Sequence, residues 1–146
     1  MTLYLDTSSL VKLYVEEAGS DSVRRLVEGA GRIAVSIVAY PEARSAFARR
    51  RREGGLTPAG LRSAKTAFER DWGRTVRLAV TDDVYRAAAS LAERHALKAL
   101  DSLHLASFLS LRRRLPRGGA AFSSFDRRLK RAALTARWPP DRRPPP

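Results

Sequence analysis

The chain has 146 residues, the usual size of one domain with a hydrophobic core of its own. It contains no cysteine, which excludes disulfides and thiolate metal sites, and no apolar run reaches the roughly 18 residues of a membrane span. We therefore expect a soluble, cytoplasmic protein. The net charge of +13, mostly from arginine, favours a polyanion such as nucleic acid as partner, although a solvated arginine-rich surface gives the same total.

The first predicted elements are a strand, an acidic turn and a helix. Residues 3–5 form a short apolar run that ends at Asp6, and a second apolar run over residues 10–15 follows at helical spacing. A short helix over residues 21–28 and a second apolar strand over residues 33–38 come next. Continuous apolar strands are typical of a parallel sheet with helices on both faces.

In the middle of the chain, the pattern predicts two long helices over residues 40–52 and 57–72, a strand over residues 75–80 and a third helix over residues 82–95. Arg77 lies in the middle of that strand, which indicates an edge of the sheet.

In the last part of the chain, the pattern predicts a link over residues 97–100 and a helix over residues 101–111. A small strand over residues 120–123, a short helix over residues 126–133 and a candidate fifth strand over residues 134–137 follow. Residues 138–146 are rich in proline and arginine and predict a flexible tail after a domain of residues 1–137. The alternation of strands and helices predicts a three-layer α/β/α domain with a central parallel sheet of four to five strands.

Four acidic residues follow a strand or begin a helix: Asp6, Glu42, Asp101 and Asp126. If the first and fourth strands are neighbours, Asp6 and Asp126 flank the crevice where open sheets bind ligands. Each of these four acids has a simpler explanation as a helix cap or helix-dipole partner. Clustered carboxylates repel one another, however, and a hard divalent cation such as Mg²⁺ compensates their charge through oxygen ligands. Such a site can hydrolyse a phosphodiester without any histidine.

Four segments carry a family resemblance, in order over nearly the whole chain: LDTSSLVKLYVEE, SIVAYPEARSAFAR, ALDSLHLASFL and FSSFDRRLKRAA. They resemble the successive motifs of PIN-domain ribonucleases, especially the VapC-type toxins of bacterial type II toxin–antitoxin systems. The resemblance implies an endoribonuclease that hydrolyses RNA with Mg²⁺, or with Mn²⁺ in its place. It also implies a cognate antitoxin as partner and a homodimer as the oligomeric state.

The resemblance implies a role for seven polar residues of these segments. The four acids are then the catalytic metal-binding residues, with Asp6 and Asp101 as the principal ligands. Thr7, Ser8 and Ser124 support the carboxylates by hydrogen bonds, and Ser124 stands where many relatives have threonine.

Arginines near the four acids are candidates for RNA binding: Arg44, Arg49, Arg50, Arg127 and Arg128. The same residues are also consistent with a solvated face or with a docking surface for an antitoxin. The two histidines, His95 and His104, lie on apolar helix faces, and we expect structural roles for both.

Two alternatives to a toxin remain open at this point. The first is the same fold with a weak or inactive site, retaining RNA through contacts between arginines and phosphates. The second is a nuclease of RNA processing that has no toxin role.

Overall fold

The computed structural model describes residues 1–138, so the predicted tail lies outside the described residues except for Trp138. Four parallel strands form one sheet in the order β3-β2-β1-β4: β1 (Thr2–Leu5), β2 (Arg32–Ser36), β3 (Val76–Leu78) and β4 (Ala120–Ser123). The first and fourth strands are therefore neighbours, and the direction of winding reverses between them. The third strand lies at an edge, as Arg77 indicated.

Seven α-helices connect and cover the strands in residues 1–138: α1 (Thr7–Leu10), α2 (Ser20–Glu28), α3 (Ala39–Arg52), α4 (Pro58–Trp72), α5 (Asp82–His95), α6 (Ala99–Arg112) and α7 (Arg127–Thr135). A 3₁₀ turn, Val11–Leu13, continues α1. Several helices begin where a side chain can accept a hydrogen bond from the first turn. Thr57, for example, accepts from the Gly60 amide at 2.9 Å, and Pro58 then occupies the first helical position.

The core consists of two clusters, one on each face of the sheet. Alternate residues of β1 point to opposite faces, so that Leu3 and Leu5 join one cluster and Tyr4 the other. The Leu3 cluster contains buried side chains of the first four helices, and the Tyr4 cluster contains those of the last three: Leu10, Val23, Phe47 and Phe68 on one face, and Leu91, Leu105 and Leu129 on the other. The prediction of a three-layer α/β/α domain is confirmed.

The prediction of a fifth strand over residues 134–137 is wrong, because residues 1–138 contain four strands and α7 extends to Thr135. The buried side chains recur at helical spacing to the end of this segment: Leu129, Ala132, Ala133 and Ala136. Arg112 donates to the Ala136 carbonyl at 2.7 Å and holds the end of the helix against α6.

Several boundaries differ from the prediction. The first helix begins at Thr7, before the predicted residues 10–15, because the Asp6 side chain caps it. The sixth helix begins within the predicted link, at Ala99, which places Asp101 in its first turn. The second and third strands are shorter than predicted.

Trp138, predicted to open the tail, packs against the Tyr4 cluster, and its ring centroid lies 5.2 Å from the guanidinium carbon of Arg113. The division of the chain at residue 138 stays a prediction. No helix within residues 1–138 has both the length and the apolar character that crossing a bilayer requires.

Candidate active site

An open cleft of about 1220 Å³ lies where the carboxyl ends of β1 and β4 meet, and all four acids line it. Asp6 follows β1 and Asp126 follows β4, while Glu42 and Asp101 belong to the first turns of α3 and α6. The parallel arrangement of the strands explains this convergence, since the ends of adjacent parallel strands meet at one edge of the sheet. We call this cavity the acidic cleft.

Asp6 is buried, and neighbouring donors fix its carboxylate. The Ser8 hydroxyl lies 2.8 Å from Oδ1 and 2.9 Å from Oδ2, and the Ser9 amide donates to Oδ1 at 2.9 Å. Ser124 donates its hydroxyl to Oδ2 at 2.6 Å. Hydrogen bonds of this kind stabilise a buried negative charge and hold its side chain in one conformation.

The turn after β4 is tied to the turn after β1. The Ser124 hydroxyl that donates to Asp6 also accepts from the Asp126 amide at 3.0 Å, and the Ser8 hydroxyl accepts from the Phe125 amide at 2.8 Å. Asp126 itself caps α7, because its Oδ1 accepts from the Leu129 amide at 2.8 Å. The relative position of Asp6 and Asp126 is thus set by two serine hydroxyls.

Glu42 is held by two donors on its Oε2 atom. Thr7 donates its hydroxyl to this oxygen at 2.7 Å, and His104 Nε2 lies 2.7 Å from it. Burial raises the pKa of Glu42, but the hydrogen bonds from His104 and Thr7 outweigh burial, so that the pKa lies below its ordinary value. Glu42 is therefore kept as a carboxylate in one orientation.

The histidine that holds Glu42 is held in turn by the core. His104 is 1% exposed, and its Nδ1 lies 3.0 Å from the Tyr4 hydroxyl. Burial, and next the charge of Asp6, raise the pKa of Tyr4, so the phenol keeps its proton. Because Glu42 is a carboxylate, His104 Nε2 carries the hydrogen that Glu42 accepts. A chain of hydrogen bonds therefore runs from the centre of the sheet to Glu42.

The carboxyl of Asp101 is affected by the charges of the other three acids of the cleft. Burial raises the pKa of its carboxyl, and the negative charges of Asp126, Asp6 and, less strongly, Glu42 raise it further. His104 acts in the opposite direction and does not reverse the shift. The four acids therefore share one electrostatic environment with an excess of negative charge.

The donor atoms of the acidic cleft fit a hard divalent cation by their chemistry, since they are carboxylate oxygens. Within residues 1–138, however, no three histidine, aspartate or glutamate side chains are gathered closely enough to form a ready-made metal site. Repulsion among the carboxylates favours such a separation. The assignment of the four acids as metal ligands stays a prediction.

Two of the five arginines proposed for RNA binding, Arg49 and Arg50, line the acidic cleft. Arg44, on the same helix, is instead paired with α4 through an ion pair of 2.6 Å. Arg127 and Arg128 are exposed at the start of α7 and are not among the residues that line the cleft.

The sequence analysis missed four charged residues that line the cleft: Lys12, Glu17, Glu53 and Lys98. Lys12 and Glu17 form an ion pair of 2.7 Å. Lys12 was the detectable one, because it is the single charged residue of an otherwise apolar run and such a residue must reach solvent or a partner.

Comparison with known proteins shows similarity in family, in sequence and in fold. Residues 3–134 match the model of the PIN domain family. Ribonucleases VapC45 and VapC49 of Mycobacterium tuberculosis are each 36% identical to this chain over 134 residues, which are 92% of this chain and 90% of theirs. The crystal structure of VapC20 from the same species, a toxin that cleaves the sarcin–ricin loop, has a similar fold. Its TM-score is 0.63 at 20% identity, with 89% of this chain and 94% of that chain covered.

Proposed function

Because this chain belongs to the PIN domain family, we propose that it is a Mg²⁺-dependent endoribonuclease and the toxin of a toxin–antitoxin pair. Two named ribonucleases match it over nine-tenths of its length, and divalent-metal dependence is a general property of the family's VapC nucleases. Among hard cations, Mg²⁺ suits a site made of few carboxylates, because it keeps several waters and uses substrate phosphate as a further ligand.

The observation that carries the proposal is the convergence of the four acids on one cleft. Single carboxylates at helix starts are common and need no catalytic explanation. Here, however, burial and next the charges of the other three acids raise the pKa of Asp101, so its ionised carboxylate destabilises the folded protein. A destabilising group of this kind in a cleft is typical of a functional site. Neutralisation by a cation relieves this destabilisation.

Each acid has a defined task in this proposal. Asp6 and Asp101 are the principal ligands, Asp126 completes the set beside the substrate, and Glu42 contributes Oε1 while Oε2 stays with Thr7 and His104. When bound, the cation supplies an activated water and positive charge at the phosphoryl oxygens. Ser8 and Ser124 hold the Asp6 carboxylate in one orientation, so that little reorganisation is needed when the substrate arrives.

The proposed partners follow from the same family membership. RNA is the substrate, Arg49 and Arg50 contact its phosphates at the cleft, and a cognate antitoxin covers this surface when the toxin is inactive. In this proposal, Arg127 and Arg128, exposed at the start of α7, contact RNA beyond Asp126. The homodimer stays a prediction.

The test is cleavage of a panel of end-labelled structured RNAs, including a sarcin–ricin stem-loop, with Mg²⁺ and with EDTA. We expect cleavage by the wild type only with Mg²⁺, and a loss of several orders of magnitude in Asp6→Asn and Asp101→Asn. Asp83→Asn is the matched control, because Asp83 is also in a first helical turn but is exposed and outside the acidic cleft. Asp83→Asn should cut like the wild type.

Circular dichroism must show that all variants are folded. Cleavage that persists in EDTA and in both cleft variants would refute the metal mechanism. RNA binding without cleavage of any RNA in the panel would favour an inactive RNA-binding module instead.

A further inference from the structure

A buried lysine lies in the wall of the acidic cleft. Lys12 is 9% exposed and comes from the 3₁₀ turn after α1. Its Nζ donates to Glu17 Oε1 at 2.7 Å and lies 4.4 Å from the centroid of the Phe125 ring. The ammonium group is thus held between a carboxylate and an aromatic face beside Asp126, and it has little freedom to move.

A second cation meets the same carboxylate from another helix. Arg50, on α3, donates to Glu17 Oε2 at 2.8 Å. Glu17 therefore bridges two cations, one through each oxygen, and all three residues line the acidic cleft. We call Lys12, Glu17 and Arg50 the cation bridge; it carries a net charge of +1.

Stability alone does not explain the cation bridge. Removing an ammonium group from water is costly, and apolar residues of similar size are often as stable as a buried ion pair. The Arg50 guanidinium is also incompletely satisfied, because its Nε is buried and has no hydrogen-bond partner in residues 1–138. Both features are consistent with a site arranged for an anionic ligand.

The geometry indicates which anion would fit. A carboxylate that accepts from Lys12 through one oxygen and from Arg50 through the other has the form of a phosphate bound through two of its oxygens. The cation bridge shares the cleft with the four acids. If the scissile phosphate lies at the acids, as the proposed function requires, a phosphate bound at the cation bridge would lie in the same cleft.

We propose that Lys12 and Arg50 form a subsite for an RNA backbone phosphate next to the scissile one, and that Glu17 occupies this subsite in the free protein. The inference rests on the proposed function, because it takes RNA as the ligand. Glu17 then acts as an internal competitor of the substrate. Loss of its charge strengthens RNA binding, whereas loss of either cation weakens it.

The experiment is fluorescence anisotropy with a labelled single-stranded 2′-O-methyl RNA, which cannot be cleaved, in EDTA at several salt concentrations. The variants are Arg50→Gln, Arg50→Lys, Glu17→Gln and Lys12→Met, the last of which keeps the apolar stem against Phe125. Arg70→Gln is the matched control, because it removes the same unit charge and an ion pair of 2.9 Å away from the cleft.

We expect roughly tenfold weaker binding for Lys12→Met and Arg50→Gln, as for the loss of one charged hydrogen bond. The slope of the logarithm of the binding constant against the logarithm of the salt concentration should become less steep by about 0.7 in each variant, the value for one phosphate contact on a single strand. Glu17→Gln should bind more tightly than the wild type, Arg50→Lys should recover part of the affinity, and Arg70→Gln should stay near the wild type.

Binding of Lys12→Met and Arg50→Gln within twofold of Arg70→Gln would overturn the subsite. So would weaker binding of Glu17→Gln, since Glu17 would then support the site rather than compete for it. The salt dependence of binding is measured only for variants that unfold cooperatively on heating. A weaker binding then reflects a lost contact and not an unfolded protein. A wild type that neither binds nor cuts RNA would instead refute the proposed function.

Discussion

Replacing Asp101 by asparagine should stabilise the protein while it abolishes cleavage. The carboxylate lies in the first turn of α6, where the helix dipole favours negative charge by about 0.3–1 kcal/mol. Its raised pKa indicates that burial and the charges of Asp126 and Asp6 outweigh that benefit. Because Asp101 is partly exposed, solvent screens the repulsion, and we expect a gain of about 0.5–1 kcal/mol in the free energy of unfolding.

The gain should depend on pH in a defined direction. The pKa of Asp101 is higher in the folded than in the unfolded protein, so the folded state binds more protons and becomes less stable as pH rises through this range. Well below the ordinary value of 3.8, Asp101 is protonated in both states and the asparagine variant has no advantage. The advantage grows as pH rises above that value and is complete only above the raised pKa of the folded protein.

The assay is urea unfolding followed by circular dichroism between pH 3 and pH 7.5, in EDTA. Asp83→Asn is the control and should be slightly destabilised at neutral pH, because it loses only a favourable helix-dipole interaction. Added Mg²⁺ should stabilise the wild type more than Asp101→Asn, since it binds the folded state. If Asp101→Asn is less stable than the wild type at pH 7 in EDTA, the carboxylates do not repel as the structure indicates.

Three further predictions concern stability. Thr7→Val should cost about 1–2 kcal/mol at pH 7, because Glu42 loses a hydrogen bond that lowers its pKa. In urea titrations this cost should shrink as pH falls through the folded pKa of Glu42, below the ordinary 4.5, while Thr7→Ser stays near the wild type. Ser124→Ala should cost about 1.5–3 kcal/mol through the lost bond to Asp6, and Ser124→Thr should retain it; equal losses would contradict this assignment. Gly19→Ala should cost about 1–3 kcal/mol by thermal melting, since φ is +94° and a Cβ would lie 2.4 Å from the Phe125 ring. Gly54→Ala, with φ of +80° and open space around it, should cost less.

The positions of the four acids along the fold could be predicted because each follows a local pattern. An apolar strand that ends at an acidic turn places Asp6 at the carboxyl end of a strand, and the same reasoning applies to Asp126. Their proximity needed the pairing of β1 with β4, which no local pattern contains. That pairing could only be stated as a condition, and the sheet order satisfies it.

The support of Glu42 could not be predicted for the same reason. His104 was expected to be structural, but its partners lie 62 positions away at Glu42 and 100 positions away at Tyr4. In the sequence, Tyr4 cannot be distinguished from the other apolar residues of a buried strand. Contacts of this kind depend on side-chain directions that only the packed domain determines.

The errors at the end of the chain have a different cause. A strand is predicted for residues 134–137 because the segment is short and mixed, and the predicted helix ends at Ala133 although its apolar repeat continues to Ala136.

Glu17 was missed because a charged residue after a helix usually remains in solvent. Its pairing with Arg50, 33 positions later, brings it into the cleft.

The most direct test of the account is a crystal structure with Mn²⁺ and a non-cleavable RNA, with anomalous scattering used to locate the metal. We predict a manganese peak in the acidic cleft, bound by Asp6 and Asp101 and beside a phosphate of the RNA. An RNA-bound structure with no manganese in the cleft, or with manganese held away from both aspartates, would contradict the assignment of these acids as the catalytic metal site.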